Sequence, residues 1–191
     1  MSCKSLSSWL FPLVLLLSGG CAAPQVGQRI EAQAAPQAFQ LNGRIGVRYG
    51  AEGFSGNLRW QHDAGGDEIL LLSPLGQTVA RIERNAAGVT LDVPENHYVA
   101  QDAAELTERV LGWRLPLDGM QYWVTGHAAP DGAAVSATRD EAMNLVRLSQ
   151  QEWEIEYRDY RSEGRFVLPS RIVMRNGTLE LRLVADEWIL P

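Results

Sequence analysis

The sequence has 191 residues, with 17 lysines and arginines against 23 aspartates and glutamates, which gives a net charge of −6. An acidic chain with no basic stretch is a poor partner for nucleic acid, and its overall charge does not draw it to anionic lipid. A chain of this length can form one domain with a sizeable core.

The first twenty residues are typical of a secretory signal. Lys4 precedes an apolar run from Trp9 to Leu17, and three small residues, 18–20, follow it. The run is about half of the roughly 20 apolar residues that a membrane-spanning helix needs. Cys21 comes next, which indicates lipoprotein processing, although the usual pattern has a leucine three positions before the cysteine, where this chain has Ser18. The alternative is an ordinary secreted protein with a chance cysteine.

We therefore expect residues 1–20 to be cleaved and Cys21 to be acylated, since stable anchoring takes more than one acyl chain. Residues 21–37, the tether, then connect the lipid to a domain over residues 38–191. Removing the signal removes Lys4, so 16 basic residues, all arginines, face 23 acidic ones, for a net charge of −7. The only remaining cysteine is Cys21, which excludes an internal disulfide. Residues 22–24 carry no acidic side chain, and this predicts the outer membrane, with the domain on the periplasmic side.

From Phe39 onward the hydrophobic pattern has the period of two that is typical of half-buried strands. Turns rich in glycine, proline and asparagine separate the strands, and Asn176-Gly177 is a strong hairpin signal. One run, Ile69–Leu72, is apolar on both faces, so the pattern does not decide which side points inward. The strands are predicted near residues 39–49, 54–61, 69–72, 78–82, 89–93, 97–99, 153–158, 171–175 and 179–183, with about eleven in all.

After the sixth predicted strand, the apolar residues recur with the 3.6-residue period of a helix. Asp102 is a predicted N-cap, with Glu105 three residues later, and Gly112 is a natural end for this helix. A second short helix is predicted from Asp118 to Val124, and residues 126 to about 140 are predicted to form a loop. These helices are too short to cover the apolar face of an antiparallel sheet completely with their side chains. An apolar cavity is therefore expected between sheet and helices, and the alternative is a closed core.

Several short motifs occur in a characteristic order. They are Gly43–Val47, Ser55–Trp60, Leu71–Gly76, Asp102–Leu106, Leu115–Leu117, Tyr122–Gly126 and Trp188-Ile189. With the lipoprotein signal, they resemble the LolB family of outer-membrane lipoprotein receptors from about residue 38 to the C-terminus. The resemblance implies an α+β fold, mainly β: an unclosed, strongly curved antiparallel barrel of about eleven strands with a short-helix lid. It also implies a monomer that accepts triacylated lipoproteins from the periplasmic carrier LolA and inserts them into the inner leaflet of the outer membrane.

Two sets of residues are candidates for this activity. The turn Pro74-Leu75-Gly76 places a large apolar side chain where turns normally carry polar residues, and Leu75 matches the protruding apolar residue of the family. The alternative is that Leu75 folds back onto the sheet. The predicted acyl-chain cavity is lined by Ile45, Val47, Leu58, Trp60, Ile69, Leu71, Ile82, Leu91, Leu106, Val110, Trp123, Trp153, Ile155, Tyr157, Ile172 and Leu181.

Catalytic chemistry is not indicated. Ser55 lacks the glycine two residues later that a nucleophile elbow requires, and the three histidines lack the spacing of a metal site. We expect no enzyme activity, cofactor, metal or nucleotide. The leading hypothesis is a lipoprotein-inserting receptor. Its rival is a passive membrane-tethered lipoprotein of the same fold that binds a lipid or glycolipid, and a third option is a structural lipoprotein with a filled core.

Overall fold

The computed structural model describes residues 34–132 and 134–191, which form eleven strands and two helices. Cys21, most of the tether and the signal lie outside the described residues. In chain order the elements are β1 (Phe39–Tyr49), β2 (Glu52–Asp63), β3 (Gly66–Leu72), β4 (Thr78–Asn85), β5 (Gly88–Val93), β6 (Asn96–Ala100), α1 (Ala103–Leu111), α2 (Leu117–Trp123), β7 (Ala134–Arg139), β8 (Leu145–Gln150), β9 (Trp153–Glu163), β10 (Phe166–Asn176) and β11 (Leu179–Ile189).

The strands form one antiparallel sheet in the order β6-β5-β4-β3-β2-β1-β11-β10-β9-β8-β7. Neighbours in the sheet are neighbours in sequence, except that β1 pairs with β11 and so joins the two halves. Because β6 and β7 lie at opposite edges, the sheet is not closed, and the connection between them carries both helices across its concave face. The predicted fold, an unclosed antiparallel sheet of eleven strands with a short-helix lid, is confirmed.

The strand directions define two rims of the sheet. β1 begins at the first rim, where the β2–β3 and β4–β5 hairpins also lie. We call this rim the tether rim because the tether leads into Phe39 there. The second rim carries the β1–β2, β8–β9 and β10–β11 hairpins and the β3–β4 turn at residues 73–77. We call it the loop rim. The last residues of the tether, 34–37, and the turn that contains Leu75 are therefore at opposite ends of the strands.

The alternation along each strand places apolar residues on the concave face. In β3, whose two faces are both apolar, Ile69 and Leu71 are buried while Leu70 and Leu72 are half-buried on the convex face. Tyr49 has the same phase as the buried residues Ile45 and Val47 of β1 but is 44% exposed. It is the last residue of the strand, at the loop rim, where fewer neighbours cover it.

Strand β1 bends where it pairs with β11. The register shifts between Asn42 and Gly43, which marks a bulge of the kind that curves a sheet. A Cβ atom on Gly43 would lie 2.2 Å from the carbonyl oxygen of Val184, so only glycine allows the two backbones to approach this closely. The curvature that makes the concave face thus depends on a residue without a side chain.

Helix α1 has the predicted ends. The Asp102 carboxylate accepts a hydrogen bond from the Glu105 backbone N–H at 2.6 Å, and the Gly112 N–H donates to the Glu108 carbonyl oxygen at 3.0 Å. Helix α2 is shorter than predicted, because Asp118 and Gly119 have non-helical backbone angles and leave a single helical turn before Val124. No helix in the described ranges has the length and apolar character needed to cross a membrane.

The predicted loop from residue 126 to about 140 is wrong in its second half. Residues 134–139 form β7, which pairs with β8 at the edge of the sheet. The pattern in β8 was not recognised as a strand because its buried residues, Leu145 and Leu148, are three apart rather than two. A register shift between Thr138 and Arg139 accounts for this, since β8 contains one extra residue opposite it.

Candidate functional site

The residues predicted to line the acyl-chain cavity lie together on the concave face. All of them are buried except Val110, which is partly buried and packs against the others. Trp60, Ile82, Leu91, Leu106, Trp123 and Leu181 are not accessible to water at all. The strand residues of this set point toward the concave face, and the residues of α1 and α2 pack against them from the side of the lid.

In this structure the concave face is filled by the side chains of the chain itself. Side chains with no exposed surface leave no space for even one water molecule beside them. A cleft of about 80 Å³ lies at the loop rim, between Val47 and Phe54 of the sheet and Leu111 and Trp113 at the end of α1. It is smaller than the cavity of about 150 Å³ that holds a single benzene in a protein core. An acyl chain therefore requires the lid to move.

A wider cleft, about 600 Å³, lies at the tether rim between residues 34–38 and Arg165, Phe166 and Pro191. None of the predicted acyl-chain residues lines it. We therefore place the candidate site under the lid, where the apolar side chains converge, rather than in this cleft.

Helix α1 lies over β5 and β6, while α2 reaches the other half of the sheet through Trp123. The Trp123 indole N–H donates to the Gln150 side-chain oxygen at 2.9 Å, and its ring lies 6.1 Å from that of Trp153. Gln150 also holds the segment after α2, because its amide exchanges two 2.9 Å hydrogen bonds with the backbone of Ala129. This buried glutamine at the end of β8 thus fixes the C-terminal end of the lid.

The start of α2 is connected to the sheet by a charged network around Asp67. The Asp67 carboxylate is buried and accepts hydrogen bonds from the Trp60 indole and from Arg84, and it lies 2.8 Å from the His62 Nδ1 atom. Arg84 also pairs with Asp118, whose side chain is 92% exposed. Burial by itself raises the pKa of Asp67, but the hydrogen bonds from His62 and Trp60 and the charge of Arg84 outweigh it, so this pKa lies below its usual range. Asp67 is therefore ionised at neutral pH and holds Arg84 against the lid.

The β3–β4 turn presents Leu75 to solvent. Its side chain is 90% exposed, the highest value among the exposed large hydrophobic residues. The turn is closed by two backbone hydrogen bonds of 2.8 Å, from Gly76 N–H to the Ser73 carbonyl and from Ser73 N–H to the Gln77 carbonyl. The Gly76 φ of +83° favours glycine, and Pro74 restricts its own φ. The alternative in which Leu75 folds back onto the sheet is wrong.

The lid anchors, Asp67 with Arg84 and Gln150 with Trp123, were not singled out from the sequence. One signal for Asp67 was available. The turn between β2 and β3 pairs Asp67 with His62, and His62 shares the inward phase of Trp60. An acidic residue on that phase indicates a buried partner network. For Gln150 no local pattern gives such a signal, since its partners are 18 to 27 residues away in sequence.

Comparison with known proteins gives consistent results. A family model described as Outer membrane lipoprotein LolB matches residues 37–188. The Outer-membrane lipoprotein LolB of Nitrosomonas europaea is 39% identical, with 98% of this chain and 93% of that protein covered. The protein of the same name from Thiobacillus denitrificans is 40% identical, with 89% and 90% covered. The crystal structure of a LolA superfamily protein from Nitrosomonas europaea has a TM-score of 0.51 at 10% identity and covers 84% of this chain and 89% of its own, a likeness of fold alone.

Proposed function

The chain belongs to the LolB family of outer-membrane lipoproteins, and from this we propose that it accepts triacylated lipoproteins from the carrier LolA and inserts them into the outer membrane. A lipid on Cys21 holds it in the inner leaflet, and the domain from about residue 38 works in the periplasm as a monomer. The acyl chains bind on the concave face under the lid, and no nucleotide or covalent chemistry takes part.

The exposed Leu75 is the observation that carries the inserting role. Among the residues that the structure describes, thirty-four hydrophobic ones are buried, whereas this leucine is almost fully exposed on a hydrogen-bonded turn. A passive carrier gains nothing from an apolar side chain held in water. Transferring a leucine side chain into an apolar phase yields about 1.5–3 kcal/mol, which is enough to favour a membrane encounter but too little to anchor a protein.

Uptake on the concave face requires the lid to exchange places with the acyl chains. The packed apolar side chains provide the surface that the acyl chains would contact, so little apolar area need be exposed to water in the exchange. Besides its apolar packing, α2 is held by polar contacts at both ends: Arg84 with Asp118 at one end and Trp123 with Gln150 at the other. Such contacts can open without unfolding the sheet, which makes transfer without an energy source feasible.

The test follows a labelled lipoprotein from LolA to this protein and then from this protein to liposomes, in two separate steps. We expect Leu75→Glu to accept the lipoprotein normally but to deliver it at least about ten-fold less, because a carboxylate resists entering the acyl region. Leu75→Phe is the matched control and should deliver well, since this role needs only an exposed apolar side chain.

The same experiment separates the second candidate, a passive lipid- or glycolipid-binding lipoprotein of the same fold. For such a protein the parent chain itself would not deliver the lipoprotein to liposomes, so Leu75→Glu would have no delivery step to impair. If Leu75→Glu instead lost the first step and kept the second, Leu75 would belong to the contact with LolA, and the insertion mechanism would be wrong.

A further inference from the structure

Arginines and glutamates alternate across five strands on the convex face, close to the loop rim. Arg147 of β8 lies opposite Glu156 of β9, and Arg175 of β10 and Arg48 of β1 both lie opposite Glu180 of β11. Arg175 also reaches Glu156, at 3.3 Å, and so connects the two halves. Two further arginines flank this row, Arg158 beside Glu156 and Arg182 beside Glu180. We call these seven residues the arginine ladder.

The ladder contains more positive charge than its own carboxylates can neutralise. Two glutamates are shared by five arginines. Glu180 is 9% exposed beneath Arg175 and Arg182, whose guanidinium groups donate to it at 2.8 and 2.7 Å. The hydrogen bond from Arg175 is the first cause that lowers the pKa of Glu180, so this carboxylate is ionised at neutral pH.

The other three arginines are held loosely. Arg48, Arg147 and Arg158 lie 3.6 to 3.8 Å from their carboxylates, which is longer than a hydrogen bond, and their side chains are 67 to 73% exposed. Their N–H donors therefore face solvent, where a second anion can reach them.

Neighbouring acids reduce this surplus without removing it. Glu154 lies opposite Arg175 on the same face, and including it leaves five positive charges against three negative ones. Two other arginines on the convex face are each paired with one carboxylate, Arg44 with Asp186 and Arg171 with Asp159. A local excess of arginine is unexpected in a chain whose net charge is −6.

The ladder lies on the same rim as Leu75. Arg48 is the penultimate residue of β1, and Arg175 and Glu180 flank the β10–β11 hairpin. β3, which leads into the Leu75 turn, is two strands from β1, or about 10 Å at ordinary strand spacing. When Leu75 contacts a bilayer, the Arg48 end of the ladder is therefore close to the lipid headgroups.

We propose that the arginine ladder binds the phosphate groups of anionic phospholipids and so orients the Leu75 turn toward the bilayer. Guanidinium groups suit this role because they form paired hydrogen bonds to phosphate oxygens and lose less hydration than ammonium groups. The arrangement favours lipid over an acidic protein because the surplus lies beside the apolar residue that enters the membrane. This inference uses the proposed inserting function for one point only, namely that the loop rim faces the membrane.

The test measures binding of the mature chain carrying Cys21→Ala to cargo-free vesicles, by flotation. Vesicles of phosphatidylcholine are compared with an equimolar mixture of phosphatidylcholine and phosphatidylglycerol. We expect tighter binding to the mixture, weakened by salt. A triple variant, Arg48→Gln, Arg147→Gln and Arg158→Gln, should lose most of this difference, since each arginine near an anionic surface contributes about five-fold.

The matched control removes three arginines that each pair with one carboxylate: Arg44→Gln, Arg171→Gln and Arg114→Gln. It should keep the preference for phosphatidylglycerol. Equal losses in both triple variants would show that only total charge matters, and an unchanged ladder variant would also overturn the proposal. Normal vesicle binding with loss of the handover from LolA would assign the ladder to a protein contact instead.

Circular dichroism verifies that each variant folds. If the triple variant does not fold, Arg48→Gln alone replaces it in the test, because it removes only one exposed side chain. The vesicles contain no lipoprotein, so this result is independent of the two-step transfer. If Leu75→Glu does not impair delivery, the proposed function is contradicted. Loss of the phosphatidylglycerol preference in the ladder variant would still support lipid binding by the ladder.

Discussion

The hydroxyl groups of two tyrosines in β9 differ in their hydrogen bonding. Tyr160 donates a 2.8 Å hydrogen bond to the Leu145 carbonyl oxygen. Tyr157 is buried among the concave-face residues, and its hydroxyl has no hydrogen-bond partner among the residues that the structure describes. A buried hydroxyl without a partner costs free energy, whereas a satisfied one contributes about 1 kcal/mol.

We therefore expect Tyr157→Phe to leave the free energy of unfolding unchanged or to raise it by up to about 1 kcal/mol. Tyr160→Phe, the matched control, should lower it by about 1 kcal/mol because the Leu145 carbonyl loses its donor. Urea unfolding of the Cys21→Ala chain measures both. Equal destabilisation by the two substitutions would show that the Tyr157 hydroxyl is bonded in solution.

The same tyrosines predict how stability depends on alkaline pH. Burial, and then the nearby Tyr160, raise the pKa of Tyr157 well above its usual value; burial, and then Asp140, raise the pKa of Tyr160. The folded chain keeps these protons when the unfolded chain releases them above about pH 10. The contribution of these tyrosines to stability should therefore be constant below that pH and fall above it, by about 1.4 kcal/mol per pH unit for the fully buried Tyr157. Unfolding curves of a double Phe variant should show a shallower fall, and an identical one would contradict this account.

At the residue scale, the alternation of apolar and polar positions predicted which side chains are buried, from Ile45 in β1 to Leu181 in β11. It did not predict what the buried polar groups contact. Gln150 shares its strand with Leu148, and nothing in that local pattern distinguishes a lid anchor from a surface amide. Its role depends on Ala129 and Trp123, whose approach is decided by the path of the chain between the two edge strands.

At the element scale, the predictions succeeded where local chemistry decides the structure. Asp102 and Gly112 mark the ends of α1 because their side-chain and backbone preferences act within one turn. Residues 134–139 were missed because an edge strand is stabilised by its partner β8 and not by its own composition. The second lid helix was overestimated because its first residues follow the contact with Arg84 rather than a helical path.

The Arg84–Asp118 pair gives a prediction for the lid. Asp118→Asn should open α2 more often and speed uptake of an acylated ligand by up to about five-fold, because it removes the charge that Arg84 holds. The unfolding free energy should change by less than about 1 kcal/mol, since Asp118 is 92% exposed. Stopped-flow tryptophan fluorescence measures the uptake rate.

Glu108→Gln is the control for this experiment, because it removes an exposed ion pair with Arg114 that does not connect the lid to the sheet. Uptake by this variant should match that of the parent chain. Similar acceleration by both substitutions would mean that total charge, and not the connection through Arg84, controls access to the concave face.

At the scale of the whole molecule, the sequence predicted an open sheet and a lid but not the degree of packing between them. The helices were judged too short to fill the concave face. In the structure, Leu115, Leu117 and Met120, between and within the helices, are also buried there and fill it. Segments that are irregular in sequence can pack as densely as helices, and this is why a count of helical residues underestimated the core.

The opposite positions of the tether and Leu75 set a minimum length for the chain between the lipid and the sheet. β1 has 11 residues, so its first and last Cα atoms are about 34 Å apart. For the Leu75 turn to reach the membrane that holds Cys21, residues 21–39 must run back along the full height of the sheet. Fully extended, the 18 residues that follow Cys21 span about 60 Å, which is sufficient.

Deleting residues 22–31 leaves about 27 Å of reach, which is less than the height of the sheet. We expect this variant to stay anchored and to take up lipoprotein, but to deliver it poorly into its own membrane. With Cys21→Ala added, the same deletion should deliver to liposomes normally, because nothing then restrains the orientation. Normal delivery by the anchored deletion variant would contradict this geometry. We therefore expect the tether to act as a spacer, with a length matched to the strand that it precedes, as well as the link to the lipid.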